Sequence, residues 1–209
     1  ALIAGMSVLT ACSSDDNNDN GGNGNNGNGN EIENGTTLKG TITSDVTLTA
    51  GSTYKLSGEY IVEDGATLNI EAGVKIISIY DDIVDYILVK QGGKINAVGT
   101  SSAPIVMTSE KEEPGAWGGI HICGKAHTNA EGGKGSSEIG GATYGGNDDA
   151  DNSGTLKYVR VEYSGYAFDS EHEANGITFY GVGNGTTVEY CQAYKGSDDG
   201  FEFFGGSVN

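Results

Sequence analysis

Residues 61–70 read IVEDGATLNI and residues 88–97 read LVKQGGKINA, so this chain repeats itself within its first half. Apolar residues and a glycine fall at the same offsets in both copies. Each copy contains short runs that alternate apolar and polar residues, a pattern typical of strands that bury one face. One such unit cannot cover its own apolar face, but a second unit stacked on it can. The repeat therefore predicts a solenoid of stacked turns.

Two further pairs of segments repeat in the second half. Residues 175–181 (NGITFYG) match residues 199–205 (DGFEFFG), and residues 156–161 (LKYVRV) match residues 188–193 (VEYCQA). The spacings fall within the range of about 20–50 residues that is typical of solenoids. No stretch has a sustained helical period, which excludes βαβ folds. We therefore predict that residues 35–209 form an all-β domain, a right-handed parallel β-helix.

A β-sandwich or jelly roll is the alternative fold, because both also use short strands. They need hairpin turns, and Asn34-Gly35 and Asn184-Gly185 fit such turns. The final residues 201–209, FEFFGGSVN, form an apolar strand with no polar cap. Because a solenoid needs covered end turns, we expect the sequence to be truncated at both ends, with further turns after Asn209.

The N-terminal segment differs from the rest of the chain. A short apolar run ends in Leu9-Thr10-Ala11-Cys12, which resembles the lipobox of bacterial lipoproteins. This resemblance implies that residues 1–11 are the remnant of a signal peptide and that Cys12 is lipidated. The following Ser13-Ser14-Asp15-Asp16 resembles the signal that directs lipoproteins of the Bacteroidota to the cell surface. Residues 12–34 are rich in Asn, Gly and Asp and predict a disordered tether.

The composition is strongly acidic. The 209 residues include 29 acidic and 11 basic side chains, for a formal net charge of -18. This charge argues against nucleic acid and anionic membrane surfaces as partners. If Cys12 carries lipid, Cys123 and Cys191 remain, and both lie in strand-like runs. That position favours two buried free thiols over a disulfide.

Three segments, in order, carry a resemblance to a known family. They are GAWGGI at 115–120, NSGTLKYVRVEY at 152–163 and SDDGFEFFGG at 197–206. They resemble a family of β-helix surface lipoproteins of the Bacteroidota, and the likeness covers about residues 38–209. The resemblance implies a lipid-anchored outer-membrane protein exposed at the cell surface, and it implies no particular reaction. More distantly, the architecture resembles that of pectate lyases and polygalacturonases.

Asp149, Asp151 and Ser153 match the first half of a calcium-binding loop. Their oxygens stand at positions 1, 3 and 5, and Gly154 at position 6 permits a sharp turn. Position 12 is Arg160 in place of the bidentate Glu of an EF-hand, which excludes that motif. A partial calcium site is one interpretation, and a solvated acidic loop is the other.

Asp198, Asp199 and Glu202 place three carboxylates close together and are the candidate catalytic residues. Glycoside hydrolysis needs two carboxyl groups, one to protonate the leaving oxygen and one to activate water or attack. In related folds, lyases use calcium together with a basic residue, for which Arg160 and Lys195 are candidates. The alternative is that these carboxylates are solvated corner residues.

The histidines and aromatic residues give further expectations. His121, His127 and His172 lie on unrelated segments, so they do not predict a zinc site. His121 alternates with Ile120 and Ile122, which predicts a solvent-facing strand position. Five aromatic residues are candidates either for a sugar-binding platform or for stacks in the core: Trp117, Tyr144, Tyr163, Tyr166 and Phe168.

Two functions are consistent with these observations. The anchor, the tether, the elongated fold and the lack of a convincing catalytic set favour a non-catalytic surface protein that binds glycan or acts as an adhesin or accessory subunit. The alternative is a calcium-assisted polysaccharide lyase or glycoside hydrolase on the same scaffold. Calcium is the one cofactor indicated, and nucleic acid is not an expected partner.

Overall fold

The computed structural model describes residues 30–169 and 172–209, whose regular structure is almost entirely β-strand. The predicted signal peptide, the lipidation site Cys12 and the tether up to residue 29 lie outside the described residues. The first strand begins at Asn30, within the segment predicted as tether. The strands are β1 (Asn30–Ile32), β2 (Thr37–Ile42), β3 (Val46–Leu48), β4 (Thr53–Val62), β5 (Thr67–Ile70), β6 (Lys75–Ser78), β7 (Tyr86–Val89), β8 (Lys94–Val98), β9 (Ile105–Ser109), β10 (Ile120–Cys123), β11 (Gly135–Ser136), β12 (Thr143–Tyr144), β13 (Gly154–Lys157), β14 (Val159–Glu162), β15 (Ile177–Tyr180), β16 (Thr187–Glu189), β17 (Gln192–Tyr194) and β18 (Phe201–Phe204).

The strands stack in parallel and form three faces of a β-helix. Face A contains β1, β3, β5, β8, β13 and β16. Face B contains the first halves of β2 and β4, followed by β6, β9, β14 and β17. Face C contains the second halves of β2 and β4, followed by β7, β10, β15 and β18. The predicted parallel β-helix is confirmed, and the sandwich alternative is wrong.

The three sequence repeats are neighbouring turns in register. The paired positions include Leu68 with Ile95, Ile177 with Phe201, and Leu156 with Val188. Burial alternates along each strand: in β5, Leu68 and Ile70 are buried while Thr67 and Asn69 are half-buried. A fully buried aliphatic side chain contributes about 1.5–3 kcal/mol. The buried apolar side chains of the stacked turns form one continuous core.

Faces A and B meet at tight corners in the last two turns. Tyr158 alone separates β13 from β14, and it has a left-handed φ of 51°. Tyr190, one turn later, has a φ of 55°, and the two rings stack with centroids 4.6 Å apart. The left-handed conformation costs a non-glycine residue about 1–2 kcal/mol. The stacked rings offset part of that cost, since such a pair contributes about 0.5–1.5 kcal/mol.

An insertion covers part of the outside of face C. Residues 124–153, between β10 and β13, contain a short 3-10 turn (Glu131–Gly133) and the antiparallel pair β11 and β12. Ala142 and Tyr144 of this insertion pack against outward-facing side chains of the β-helix. We call the resulting region the covered face; it consists of Ile61, Leu88, His121, Cys123 and Tyr180 beneath Ala142 and Tyr144.

The expectation that His121 faces solvent is wrong. Its side chain leaves the outer side of β10 between register neighbours Leu88 and Thr178, as the alternation predicts. The insertion packs on the neighbouring Leu88 and Cys123, and the exposure of His121 is 0%. Alternation tells on which side of a strand a residue lies, but it does not tell what covers that side.

Both described cysteines are free thiols, as the strand-like sequence favoured. Cys123 is buried, whereas Cys191 is only half-buried, because it lies at the corner of the last turn. Within residues 30–169 and 172–209, no helix is both long enough and apolar enough to cross a membrane.

Candidate functional site

A cleft opens where the chain passes from face B to face C. Its walls are two connections that stand out from the stacked turns, one between β6 and β7 and one between β9 and β10. The cleft has a volume of about 340 Å³, within the range common for small-molecule sites. We call it the loop cleft; it is lined by Tyr80, Asp81, Asp82, Ile83, Val84, Lys111, Pro114, Gly115, Ala116 and Tyr166.

Tyr80 presents an aromatic ring at this cleft. Its side chain is 57% exposed. The Lys111 ammonium lies 4.5 Å from the ring centroid and donates a hydrogen bond of 3.0 Å to the Tyr80 hydroxyl. Lys111 also pairs with Glu113 at 3.1 Å. The hydrogen bond with Tyr80, and then that with Glu113, raises the pKa of Lys111. One side of the ring is therefore held by a cation.

Polar contacts fix the backbone that carries Tyr80. The Tyr80 amide donates to the Glu110 carboxylate at 3.4 Å, and Glu110 also forms an ion pair with Lys55. Asp81 accepts a hydrogen bond of 2.8 Å from the Ile83 amide, which closes a tight turn within the loop. The loop is thus a structured wall of the cleft.

Asp85 forms the buried base of the same loop. It is 1% exposed, and its carboxylate accepts a hydrogen bond from the Gly58 amide, at the bend where β4 leaves face B for face C. Gly58 has a φ of +68°, a conformation that glycine adopts readily. Burial raises the pKa of Asp85 to about 6, although the nearby Ser78 hydroxyl and the hydrogen bond from the Gly58 amide act in the opposite direction.

The five candidate aromatic residues divide between core and surface. Trp117, Tyr144 and Tyr163 are buried, and the Trp117 indole donates to the Glu162 carbonyl at 2.7 Å. Tyr166 lines the loop cleft, and exposed Phe168 packs edge-on against it at 5.1 Å. Sequence reasoning missed Tyr80, because it lies in a loop outside the repeated strands. The one sequence feature that could have indicated Tyr80 is its position directly before Asp81 and Asp82.

Glu202 is the candidate carboxylate with the most altered surroundings. It projects from the outer side of β18, in register with Thr178, and accepts a hydrogen bond from the Asn175 side chain. Burial raises the pKa of Glu202 to about 7, and the charges of Glu138, Asp199 and Asp198 add to the effect. Asp198 and Asp199 themselves are exposed. The structure therefore brings the three predicted carboxylates into one electrostatic group.

Glu138, from the insertion, is the member of this group that sequence reasoning missed. Burial raises its pKa; the carboxylates of Glu173 and Asp198 act in the same direction, and His172 opposes them. No repeat or spacing in the sequence links the insertion to β18. The candidate bases are engaged elsewhere: Arg160 pairs with Glu162 at 2.6 Å, and the Lys195 ammonium lies 5.3 Å from the ring of Tyr194.

The three histidines have separate surroundings. His121 bonds the Gly118 carbonyl through Nε2 at 2.7 Å, and burial lowers its pKa to about 4. The rings of Tyr86 and Tyr180 each lie 6.1 Å from it. His127 pairs with Asp149 at 2.8 Å, and His172 pairs with Asp169 at 2.9 Å.

The residues predicted to bind calcium make hydrogen bonds within the protein. Asp149 is half-exposed and accepts hydrogen bonds from the backbone and the ring of His127. Asp151 is nearly buried and accepts a hydrogen bond of 3.2 Å from the Ser153 hydroxyl. Among the described residues, no three His, Cys, Asp or Glu side chains are grouped to hold a metal. Calcium binding at Asp149, Asp151 and Ser153 stays a prediction.

Comparison with known proteins gives one match. A family model described as "pectate-lyase like beta helix domain" matches residues 40–209. No curated protein and no solved structure matches the chain.

Proposed function

This chain belongs to the pectate-lyase like β-helix domain family, and on that scaffold we propose a non-catalytic glycan-binding protein, held at the outer surface of the cell by lipid. The observation that carries the proposal is the loop cleft, whose lining includes the exposed Tyr80, Tyr166 and the acidic residues Asp81 and Asp82. Sugar rings pack their apolar faces on aromatic side chains while their hydroxyl groups bond to polar neighbours.

The proposed location rests on the N-terminal sequence. The lipobox-like Leu9-Thr10-Ala11-Cys12 would supply the lipid, and the Asn/Gly-rich segment after it would supply the reach. A Gly-rich chain of this length spans roughly 25 Å on average. The cleft of a protein tethered in this way would remain free to meet polysaccharide outside the cell, as an adhesin or an accessory subunit would require.

Binding is tested with the whole chain on a panel of immobilised polysaccharides. We expect retention on at least one of them, and Tyr80→Ala should abolish it. Tyr190→Ala is the matched control, because Tyr190 is also an exposed tyrosine, at 68% exposure, but lies at a different corner. Equal retention of the two variants would refute the loop cleft as the site.

The Glu202 group favours glycoside hydrolysis as a second candidate. A carboxyl group with a pKa of about 7 keeps its proton near neutral pH and can act as a general acid. Glu138 would be the second carboxylate of the pair that this reaction needs. Release of reducing ends from a polysaccharide, lost in Glu202→Gln and retained in Tyr190→Ala, would establish the enzyme. Binding without any release would leave the non-catalytic function.

A further inference from the structure

Building on the proposed glycan binding, we infer that the loop cleft is selective for uncharged sugars and excludes uronates. The side chains at issue are the charged ones that line it: Asp81, Asp82 and Lys111. A sugar carboxylate entering this cleft would need a cation whose charge is available. The surroundings of Lys111 decide whether one exists.

The charge of Lys111 is already engaged on two sides. Its ammonium donates to the Tyr80 hydroxyl at 3.0 Å and pairs with Glu113 at 3.1 Å. It also lies over the Tyr80 ring, where the electrons of the ring attract it. A uronate that paired with Lys111 would have to share its single positive charge with Glu113, an acid on the same short loop.

The neighbouring cation is engaged as well. Lys55 forms an ion pair with Glu110, whose other oxygen accepts the Tyr80 amide. With these pairs in place, Asp81 and Asp82 leave the cleft negatively charged. A carboxylate sugar is repelled there, and the net charge of -18 adds a repulsion that salt screens.

An uncharged sugar meets no such penalty. Its hydroxyl groups donate to carboxylate oxygens, which gives hydrogen bonds stronger than those between neutral groups. Asp81 accepts a hydrogen bond from the Ile83 amide. Asp82 is exposed, and among the described residues none donates a hydrogen bond to its carboxylate. Asp82 is therefore the residue through which we expect the cleft to reject uronates.

The test is calorimetric titration of the whole chain at low and high salt with cellohexaose, xylohexaose, mannohexaose and hexagalacturonate. We expect at least one neutral hexasaccharide to bind with little dependence on salt, and hexagalacturonate to bind at least about tenfold more weakly at low salt. Tyr80→Ala should weaken neutral binding by about tenfold or more, as loss of a central aromatic contact does. Asp82→Asn should reduce the difference in affinity between neutral sugars and hexagalacturonate. Tyr190→Ala should change neither affinity.

The outcomes separate this inference from the proposed function. Hexagalacturonate that binds as tightly as the neutral sugars, and loses its binding in Tyr80→Ala, would overturn the selectivity and leave glycan binding in place. No binding by any of the four sugars would overturn both. If the difference in affinity between neutral sugars and hexagalacturonate is the same in Asp82→Asn as in the wild type, Asp82 is not the selective residue.

Discussion

The covered face lies on face C and the loop cleft lies at the border between faces B and C. Polar side chains are buried in the first region and exposed in the second. On the covered face the insertion removes His121 and Tyr180 from water. At the loop cleft the chain also leaves the stacked turns, but Tyr80 stays 57% exposed. Only Asp85, at the base of the loop, is buried. The difference teaches that an excursion from the solenoid can either bury the outer side chains of a face or stand away from them and leave its own side chains exposed.

The largest expected effect of a substitution is on the covered face. The side chain of Leu88 projects from β7 and is fully buried against the insertion. Leu88→Ala should therefore lower the free energy of unfolding by about 2–5 kcal/mol. Ile83→Ala is the control in the loop cleft, where Ile83 is 59% exposed, and it should stay within about 0.5 kcal/mol. Urea denaturation of both variants checks this. A small loss for Leu88→Ala would mean that the insertion does not pack as described.

A second prediction concerns the protonation of His121, which burial disfavours. Its pKa in the folded protein is about 4, below the unfolded value of about 6.5. The stability that His121 contributes is therefore present above pH 6.5 and is lost as the pH falls toward 4. The wild type should lose up to about 3 kcal/mol relative to His121→Gln over that window. Urea denaturation of both proteins at several pH values gives this difference, and a constant difference would show that water reaches the imidazole.

For Asp85, at the base of the loop cleft, the free energy of unfolding should depend on pH in the opposite direction. Its folded pKa of about 6 lies above its usual value, so the stability linked to it is present at pH 4 and is lost as the pH rises through 6. Relative to wild type, Asp85→Asn should gain about 1–3 kcal/mol between pH 4 and pH 7. The same urea measurements apply. A slope of the same sign as that for His121 would contradict the burial of Asp85.

The smallest effect concerns calcium. Asp149 and Asp151 bond to His127 and Ser153, so a calcium ion would have to compete with these contacts and would bind weakly. Chelation by EDTA should therefore lower the melting temperature by no more than about 1 °C. Calorimetric scans with EDTA and with added calcium measure it. A clear fall with EDTA that disappears in Asp149→Asn would instead establish the calcium site.

The sequence was sufficient to predict the fold because repeats report directly on stacking. The offset between IVEDGATLNI and LVKQGGKINA is the register of neighbouring turns, and the alternation in each strand separates core from outside. The sites were predicted only in part. Glu202, Tyr166 and Phe168 emerged from residue type, whereas Tyr80 and Glu138 lie in segments without a repeat. The region around His121 is covered by the insertion, which folds back over face C. The spacing of residues along a strand does not predict such a long-range contact.

The most direct test of the account is a nuclear magnetic resonance titration of the whole chain with labelled tyrosine rings and a neutral hexasaccharide that binds. Single Tyr→Phe variants would assign the signals. We expect the ring signals of Tyr80 and Tyr166 to shift with added sugar, while those of Tyr86 and Tyr180 near His121 stay unchanged. Shifts of Tyr86 and Tyr180 without a shift of Tyr80 would contradict the account and move the ligand to the covered face.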